Sequence, residues 1–315
     1  WLEVRGYKGI ILAGGTGSRL WPATLVTSKQ AMPVYDKPLI YYPLTTLMAA
    51  GLRDIAIITT PRDADQFRAL LGDGAQWGVR LTYLVQAAPE GLAQAYLLAQ
   101  DFLQGAGSVL ILGDNIFDVP GLSQDVASAM TLGQGATVFG IPVPDPERFG
   151  VAHATPTGTV THIVEKPFVA TSNLAVTGLY VCDGRAPTMA SWLSPSVRGE
   201  LEIVDLLRLY MDAGLLRLSH LSKSVSAAWF DTGTHDSLFE AASYVRDQQT
   251  HGSRLIGSPT IEAYQHGWID HAAVADEAAA LGKSSYGLAL EQVLTTGRIT
   301  TKPREPAGAA RIRAA

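Results

Sequence analysis

Short apolar runs and longer amphipathic stretches alternate along the first third of the chain. Runs of four to six residues rich in β-branched side chains predict buried strands at 10–13, 54–59, 80–85 and 108–112. Stretches with helical spacing predict helices at 38–50, 63–71 and 92–102. This alternation predicts a Rossmann-like three-layer α/β/α fold, in which helices cover both faces of a mostly parallel mixed sheet.

The pattern changes near the prolines at positions 142, 144 and 146. Strand-like segments at 151–154, 160–165 and 175–181 predict a small added lobe with antiparallel pairing, and helices are predicted at 201–213, 235–249, 272–281 and 286–294. We therefore expect one α/β domain over 8–251, divided near 143/144 into two parts. A small C-terminal helical segment over 252–300 and a disordered tail over 301–315 should follow it.

Composition excludes several classes of function. The 315 residues are 47% hydrophobic and only 17% charged, enough for a large core. The net charge of −5 argues against general nucleic-acid binding. No apolar run approaches the roughly 18 residues that span a membrane, and the single cysteine, Cys182, excludes an internal disulfide. The sequence thus predicts a cytoplasmic protein that binds neither nucleic acid nor membrane.

A glycine-rich loop follows the first predicted strand. Gly14-Gly15-Thr16-Gly17 lets the backbone bend sharply and bring its N–H groups close to an anion. The cations Arg19 and Lys29 come soon after it. Lys29 is conspicuous because only seven of the 24 cationic residues are lysines, and a compact ammonium suits a phosphate oxygen differently from a planar guanidinium. The stretch predicts a polyphosphate site, although a turn without a ligand would also fit.

Two common glycine loops do not match. The dinucleotide fingerprint needs a sixth-place glycine, where this chain has Leu20, so a dinucleotide oxidoreductase is excluded. A Walker loop needs Gly-Lys-Ser/Thr followed by a helix, but here Trp21-Pro22 follows, and proline pushes the preceding residue towards extended geometry. We expect the loop to continue as a lid.

A carboxylate lies at the end of another predicted strand. Asp114 follows the apolar run 108–112 within Gly113-Asp114-Asn115. Ligands of parallel sheets bind beyond the carboxyl ends of the strands, so Asp114 should face the glycine loop. One or two carboxylates together with phosphate oxygens are the usual ligands of protein-bound Mg²⁺. This position therefore predicts a magnesium ligand.

A resemblance extends this interpretation. Residues 14–44, GGTGSRLWPATLVTSKQAMPVYDKPLIYYPL, resemble the signature of the sugar-1-phosphate nucleotidyltransferases, most closely the glucose-1-phosphate thymidylyltransferases. The likeness continues through LGDN, DPERFGV, EKP and FDTGTHDSL as far as about residue 270. Blocks so numerous, in the same order, make a chance match improbable.

The resemblance implies a role for particular residues. Nucleotide-binding positions would be Leu12, Gly14, Gly15, Thr16, Gly17, Gln86 and Gly91. Catalytic cations would be Arg19, over the β- and γ-phosphates, and Lys29, on the α-phosphate. Mg²⁺ ligands would be Asp114 and Asp231. Sugar-phosphate positions would be Phe149, Gly150, Glu165, Lys166, Val176 and Arg198.

Plainer roles remain open for several of these residues. Asp231 would also suit a turn or helix cap, Gln86 the polar end of a strand, and the Glu165–Lys166 pair an exposed ion pair of little energetic value. Arg198 would also suit a residue that merely precedes the next helix.

The resemblance also implies a reaction. Such a protein would use Mg²⁺ to join dTTP and glucose 1-phosphate into dTDP-glucose and pyrophosphate, and would assemble as a homotetramer. The nearest alternative is the same chemistry with UTP or another hexose 1-phosphate. A catalytically silent sensor of sugar nucleotides is an alternative of a different class.

Overall fold

The computed structural model describes residues 6–221, 227–251 and 254–296. The predicted tail, 301–315, lies outside them. The strands are β1 Tyr7–Ala13, β2 Pro33–Val34, β3 Lys37–Pro38, β4 Asp54–Thr59, β5 Arg80–Val85, β6 Gly107–Leu112, β7 Ile116–Asp118, β8 Ala136–Pro142, β9 Gly150–Ala154, β10 Val160–Glu165, β11 Leu174–Cys182, β12 Leu216–His220 and β13 Ala228–Phe230. The helices are α1 Tyr41–Ala49, α2 Ala64–Leu71, α3 Gln94–Leu98, α4 Gln100–Leu103, α5 Leu122–Thr131, α6 Ala186–Ala190, α7 Ile203–Asp212, α8 His235–Thr250, α9 Pro259–Gln265, α10 His271–Leu281 and α11 Ser285–Thr296.

A mixed sheet forms the centre of the molecule. Strands β6, β1, β4 and β5 lie side by side and run parallel. Strand β11 joins them antiparallel to β6 and also pairs with β8 and β9, while β10 pairs with β9. Among the described residues the sheet has nine strands. The expected fold class is confirmed, and the antiparallel strands β9 and β10 extend this sheet through β11.

Side chains alternate between the two faces of the sheet. Ile11 and Ile57 pack with helices α1, α2 and α5 on one face. Ile10 and Leu110 pack with α3, α6 and α7 on the other. Because both faces are covered, residues 10–13 of β1, 55–58 of β4 and 109–112 of β6 are all apolar, as buried parallel strands usually are. The three-layer arrangement leaves the strand ends free to carry polar side chains.

Two predicted helices differ from the structure. The helix predicted at 38–50 begins only at Tyr41. The backbone N–H of Leu39 donates to the Met32 carbonyl and that of Ile40 to the Gln30 carbonyl, so these residues extend the hairpin β2–β3 instead of the helix. The helix predicted at 92–102 is two short helices, since the chain leaves helical geometry at Ala99 (φ −89°, ψ 3°). Tertiary hydrogen bonds outweigh local propensity at the first of these sites.

A small second sheet joins two distant segments. Strand β13 pairs antiparallel with β7, with Phe230 opposite Ile116 and Ala228 opposite Asp118. The residues just before β7 and just after β13 therefore lie side by side. This pairing brings Asp231 next to Asp114, although the two are far apart in the sequence.

The C-terminal helices α9, α10 and α11 share an apolar cluster that includes Ile261, Val274 and Leu290. Tyr41 of α1 contacts them, with its ring 6.3 Å from that of Tyr286 in an edge-on arrangement. No helix among the described residues is long and apolar enough to cross a membrane.

Candidate active site

The glycine loop lines a polar cleft at the carboxyl end of β1. Gly15 and Gly17 have positive φ angles of 100° and 61°, which side-chain-bearing residues rarely adopt. The loop continues into a 3₁₀ turn over Ser18–Leu20 rather than an α-helix, and the Thr24 hydroxyl donates to the Gly17 carbonyl at 2.7 Å. The cleft has a volume of about 250 Å³ and is also lined by Arg19, Lys29, Asp114 and Gly233.

Lys29 is the buried cation of this cleft. It opens a 3₁₀ turn, Lys29–Ala31, capped by Ser28, whose side chain accepts from the Gln30 N–H. Its Nζ lies 2.9 Å from Asp114 Oδ2 and 3.5 Å from the Asp231 carbonyl oxygen. Only 8% of the residue is exposed. An ammonium fixed in this way cannot move freely into water and remains directed at the cleft.

The two aspartates predicted to hold a metal are held by their neighbours. Asn115 donates to Asp114 Oδ1 at 2.9 Å, and the Thr232 hydroxyl donates to the Asp114 carbonyl at 2.6 Å. The Gly233 N–H donates to Asp231 Oδ1 at 3.2 Å. Within 6–221, 227–251 and 254–296, no three His, Cys, Asp or Glu residues gather as a metal cage. Two carboxylates beside a phosphate cleft fit Mg²⁺, which completes its shell with phosphate oxygens and water.

Two arginines flank the predicted metal position. A Cβ placed on Gly233 would lie 3.3 Å from Arg19 Nη1 and 3.5 Å from Asp231 Oδ2, so both groups border the same glycine. Arg148, which the sequence analysis did not select, donates from Nη2 to Asp231 Oδ2 at 3.2 Å. The motif DPERFGV contained it, but only the fold reveals a contact across 83 residues.

A second, more apolar cleft continues from the first and shares Gly14, Gly15, Gln30 and Asp114 with it. Its volume is about 200 Å³, and its wall includes Leu12, Gln86, Pro89, Gly91, Leu92 and Leu112. Gln86 is 5% exposed, and its Oε1 would lie 2.3 Å from a Cβ placed on Gly14. The absence of a side chain at Gly14 therefore gives the Gln86 amide access to this cleft.

The loop beside Gln86 is joined to a distant segment. The Leu201 N–H donates to the Glu90 carbonyl at 2.7 Å, and the Ala93 N–H donates to the Leu201 carbonyl at 3.0 Å. Gly91 lies between them with φ 104°, and a Cβ there would approach the Leu201 carbonyl oxygen to 2.4 Å. Only glycine fits this position.

The predicted sugar residues meet on β9, β10 and β11. Gly150 is opposite both Glu165 and Val176 in the strand register. Burial is the main cause that raises the pKa of Glu165. Its Oε1 lies 3.6 Å from Lys166 Nζ and 4.0 Å from Arg198 Nη2.

Arg198 and Phe149 complete this region. Arg198 also pairs with Glu202 at 2.8 Å and lies 3.8 Å from Glu200, which lines the apolar cleft. The Phe149 ring packs against Trp229 with a centroid distance of 5.2 Å. The structure thus gathers the predicted sugar residues into one region beside the apolar cleft, and their assignment to the sugar stays a prediction.

Comparison with known proteins identifies the family of this chain. The model of the nucleotidyl transferase family matches residues 8–248. A glucose-1-phosphate thymidylyltransferase of Xanthomonas campestris is 52% identical over 93% of this chain and 98% of that protein. The enzyme of the same name from Mycobacterium tuberculosis is 44% identical over 91% of this chain and 99% of its own length.

Solved structures show the same relationship. A candidate glucose-1-phosphate thymidylyltransferase from Bacillus anthracis, in complex with a sucrose, superimposes with a TM-score of 0.71 at 42% identity, over 76% of this chain and 96% of that one. A UDP-glucose pyrophosphorylase complexed with UDP-glucose gives 0.66 at 25% identity, over 76% and 98%. This chain therefore belongs to the nucleotidyl transferase family, among its glucose-1-phosphate thymidylyltransferases.

Proposed function

We propose that this enzyme transfers a thymidylyl group from dTTP to α-D-glucose 1-phosphate, forming dTDP-glucose and pyrophosphate. The observation that carries the proposal is the pair of clefts that meet at Gly14, Gly15 and Asp114. One cleft is polar and carries the buried cation Lys29. The other is largely apolar and is also lined by a few polar side chains, among them the amides of Gln30 and Gln86. A triphosphate attached to a flat base matches this pairing of chemistries.

In the proposed reaction a phosphate oxygen of the sugar phosphate attacks the α-phosphorus of dTTP. One P–O bond forms, the bond to the β-phosphate oxygen breaks, and pyrophosphate leaves in line. No side chain serves as the nucleophile, so the protein contributes positioning and charge neutralisation. Lys29 would neutralise the charge that develops on the α-phosphate, and Arg19 would bind the phosphates that leave.

Asp114 and Asp231 would hold Mg²⁺, which when bound supplies positive charge to the phosphate oxygens. The sugar phosphate would lie beside Lys166 and Arg198, with Glu165 accepting from sugar hydroxyls. Glu165 fits this role because it is partly withdrawn from water and already bordered by the two cations.

A matrix of nucleoside triphosphates against hexose 1-phosphates, assayed by pyrophosphate release, tests the proposal. We expect the highest kcat/KM for dTTP with glucose 1-phosphate. A higher kcat/KM with UTP or with another hexose 1-phosphate would change the assigned substrates but not the type of reaction. Binding of nucleotides without any release of pyrophosphate would instead identify a sensor.

The hydrogen bonds around Gln86 give a reason for base selection. Gln94 donates from Nε2 to Glu90 Oε2 at 2.6 Å, which leaves Gln94 Oε1 to accept from Gln86 Nε2, also at 2.6 Å. Gln86 therefore presents its carbonyl oxygen, an acceptor, to the apolar cleft. Thymine and uracil carry a donor at N3, whereas cytosine carries an acceptor there, so this orientation favours the first two bases.

Gln94→Leu is accordingly expected to reduce base discrimination. Without the acceptor at position 94 the Gln86 amide can rotate by half a turn and exchange its donor and acceptor. The loss of one neutral hydrogen bond, about 0.5–1.5 kcal/mol, corresponds to about a two- to thirteenfold change. The ratio of kcat/KM for dTTP to that for dCTP should fall by this factor. The control Glu90→Gln keeps an acceptor for Gln94 and should keep the parental ratio. A parental ratio in Gln94→Leu would show that Gln94 does not orient the amide.

We further propose a homotetramer that works in the cytoplasm, where free nucleoside triphosphates and sugar phosphates occur. The resemblance to the family supports the assembly. Light scattering coupled to size-exclusion chromatography would test it, and a monomeric mass at micromolar concentration would refute it.

A further inference from the structure

The two aspartates proposed to bind the metal have matching hydrogen-bond partners: each carboxylate accepts from a neutral N–H at one oxygen and from a cation at the other. Asp114 receives a neutral N–H donor, from Asn115, at Oδ1 and the cation Lys29 at Oδ2. Asp231 receives the backbone N–H of Gly233 at Oδ1. Its Oδ2 receives a cation as well, and that cation is the guanidinium of Arg148.

Arg148 is anchored so that it can reach Asp231. Its Nη1 donates to Asp145 Oδ2 at 2.7 Å, and its guanidinium carbon lies 5.2 Å from the centroid of the Phe149 ring. These two contacts keep the guanidinium close to Asp231 whether or not that ion pair is formed. The side chain is 37% exposed, so it also has room to turn.

We propose that Arg148 is a positioning residue that holds Oδ2 of Asp231 in the free enzyme and yields it to the divalent cation when the metal–nucleotide complex binds. This rests on the proposed function, which places a metal at Asp114 and Asp231. Lys29 does the same at Asp114, so two protein cations exchange for one divalent ion. The charge facing the two carboxylates is unchanged, and the released cations are free to meet the incoming phosphates.

Titration of the full-length enzyme with Mn²⁺ alone, observed by electron paramagnetic resonance, tests the exchange. Arg148→Gln removes the competing cation, so the Kd for Mn²⁺ should fall by up to about fivefold, the size of a partly exposed ion-pair effect. Arg80→Gln is the matched control, because Arg80 pairs with Asp54 at the amino end of β5. That variant should leave the Kd unchanged.

Asp145→Asn gives a second test with the opposite sign. It removes the other anionic partner of Arg148, which should then bind Asp231 more firmly and raise the Kd for Mn²⁺. Asp145 is 41% exposed at its side chain, so this change leaves the core intact. In an Asp231→Asn background, Arg148→Gln should no longer alter the Kd, since the shared group is gone.

A merely structural ion pair predicts a different outcome. Arg148→Gln would then leave the Kd for Mn²⁺ equal to or higher than that of the parent, and either result overturns the proposal. Tighter metal binding combined with a lower kcat in Arg148→Gln would support it. If the parent binds Mn²⁺ but releases no pyrophosphate with any substrate pair, the proposed function fails while the exchange at Asp231 can still be measured.

Discussion

Lys29→Ala is expected to lower kcat by about 10²–10³, the usual effect of removing one group that stabilises the charge developing in the transition state. Lys29 is buried and lies beside Asp114 in the polar cleft. Its positive charge should matter most when negative charge accumulates around the α-phosphate. The KM for dTTP should change much less, because other groups of the loop still bind the ground state. Initial rates of pyrophosphate release over a range of dTTP concentrations would separate the two parameters.

Lys283→Ala is the matched control for this experiment, because Lys283 is exposed in the turn that precedes α11. It should behave like the parent. Lys29→Ala should also unfold near the parental denaturant midpoint, so that lost activity is not lost structure. A parental kcat in Lys29→Ala would show that the phosphates bind elsewhere.

The second large effect concerns stability. Lys37 is 1% exposed and lies on strand β3, where its ammonium donates to Asp36 and, at 2.7 Å, to Gln249 Oε1. It also lies 5.2 Å from the ring of Tyr286. Burial lowers its pKa, an effect that Asp36 opposes. Lys37→Met leaves the Asp36 carboxylate buried without its cation, so the free energy of unfolding should fall by about 3–5 kcal/mol.

Denaturant titration followed by intrinsic fluorescence would measure this loss. Lys283→Met, an exposed lysine changed in the same way, should stay within about 0.5 kcal/mol of the parent. Adding Asp36→Asn to Lys37→Met should recover part of the loss, because the unpaired charge is removed. If Lys37→Met were as stable as the parent, the buried pair would not stabilise the hairpin.

The sequence predicted the elements whose signals are local. Strands β4 and β5 have the predicted bounds, since compact β-branched runs define them without tertiary help. The glycine loop and Asp114 were predicted as site residues because they follow strands whose ends carry the ligands of a parallel sheet. Lys29 was predicted because lysines are scarce in this chain and it follows the glycine loop. Asp231 came from the resemblance alone, and the pairing of β13 with β7 explains how it reaches Asp114.

Features that depend on distant partners were not predicted. The late start of α1 follows from hydrogen bonds to the segment after Lys29. Arg148 in the sequence is one of many arginines, and its contact with Asp231 exists only once the 3₁₀ turn Pro146–Arg148 and the second sheet are both in place. The orientation of the Gln86 amide depends likewise on Gln94 and Glu90. No local pattern contains such information.

The backbone hydrogen bonds that Leu201 makes on either side of Gly91 limit how segments can be exchanged between this enzyme and its relatives. The segment that lines the apolar cleft and the segment that follows Arg198 share the hydrogen bonds of Leu201, with no space for even one added methyl group at Gly91. If only one of the two segments were exchanged, the other would have to place its backbone N–H and carbonyl groups in the same positions to keep these hydrogen bonds. Chimeras designed to exchange base preference should therefore carry both segments together, as a single cassette.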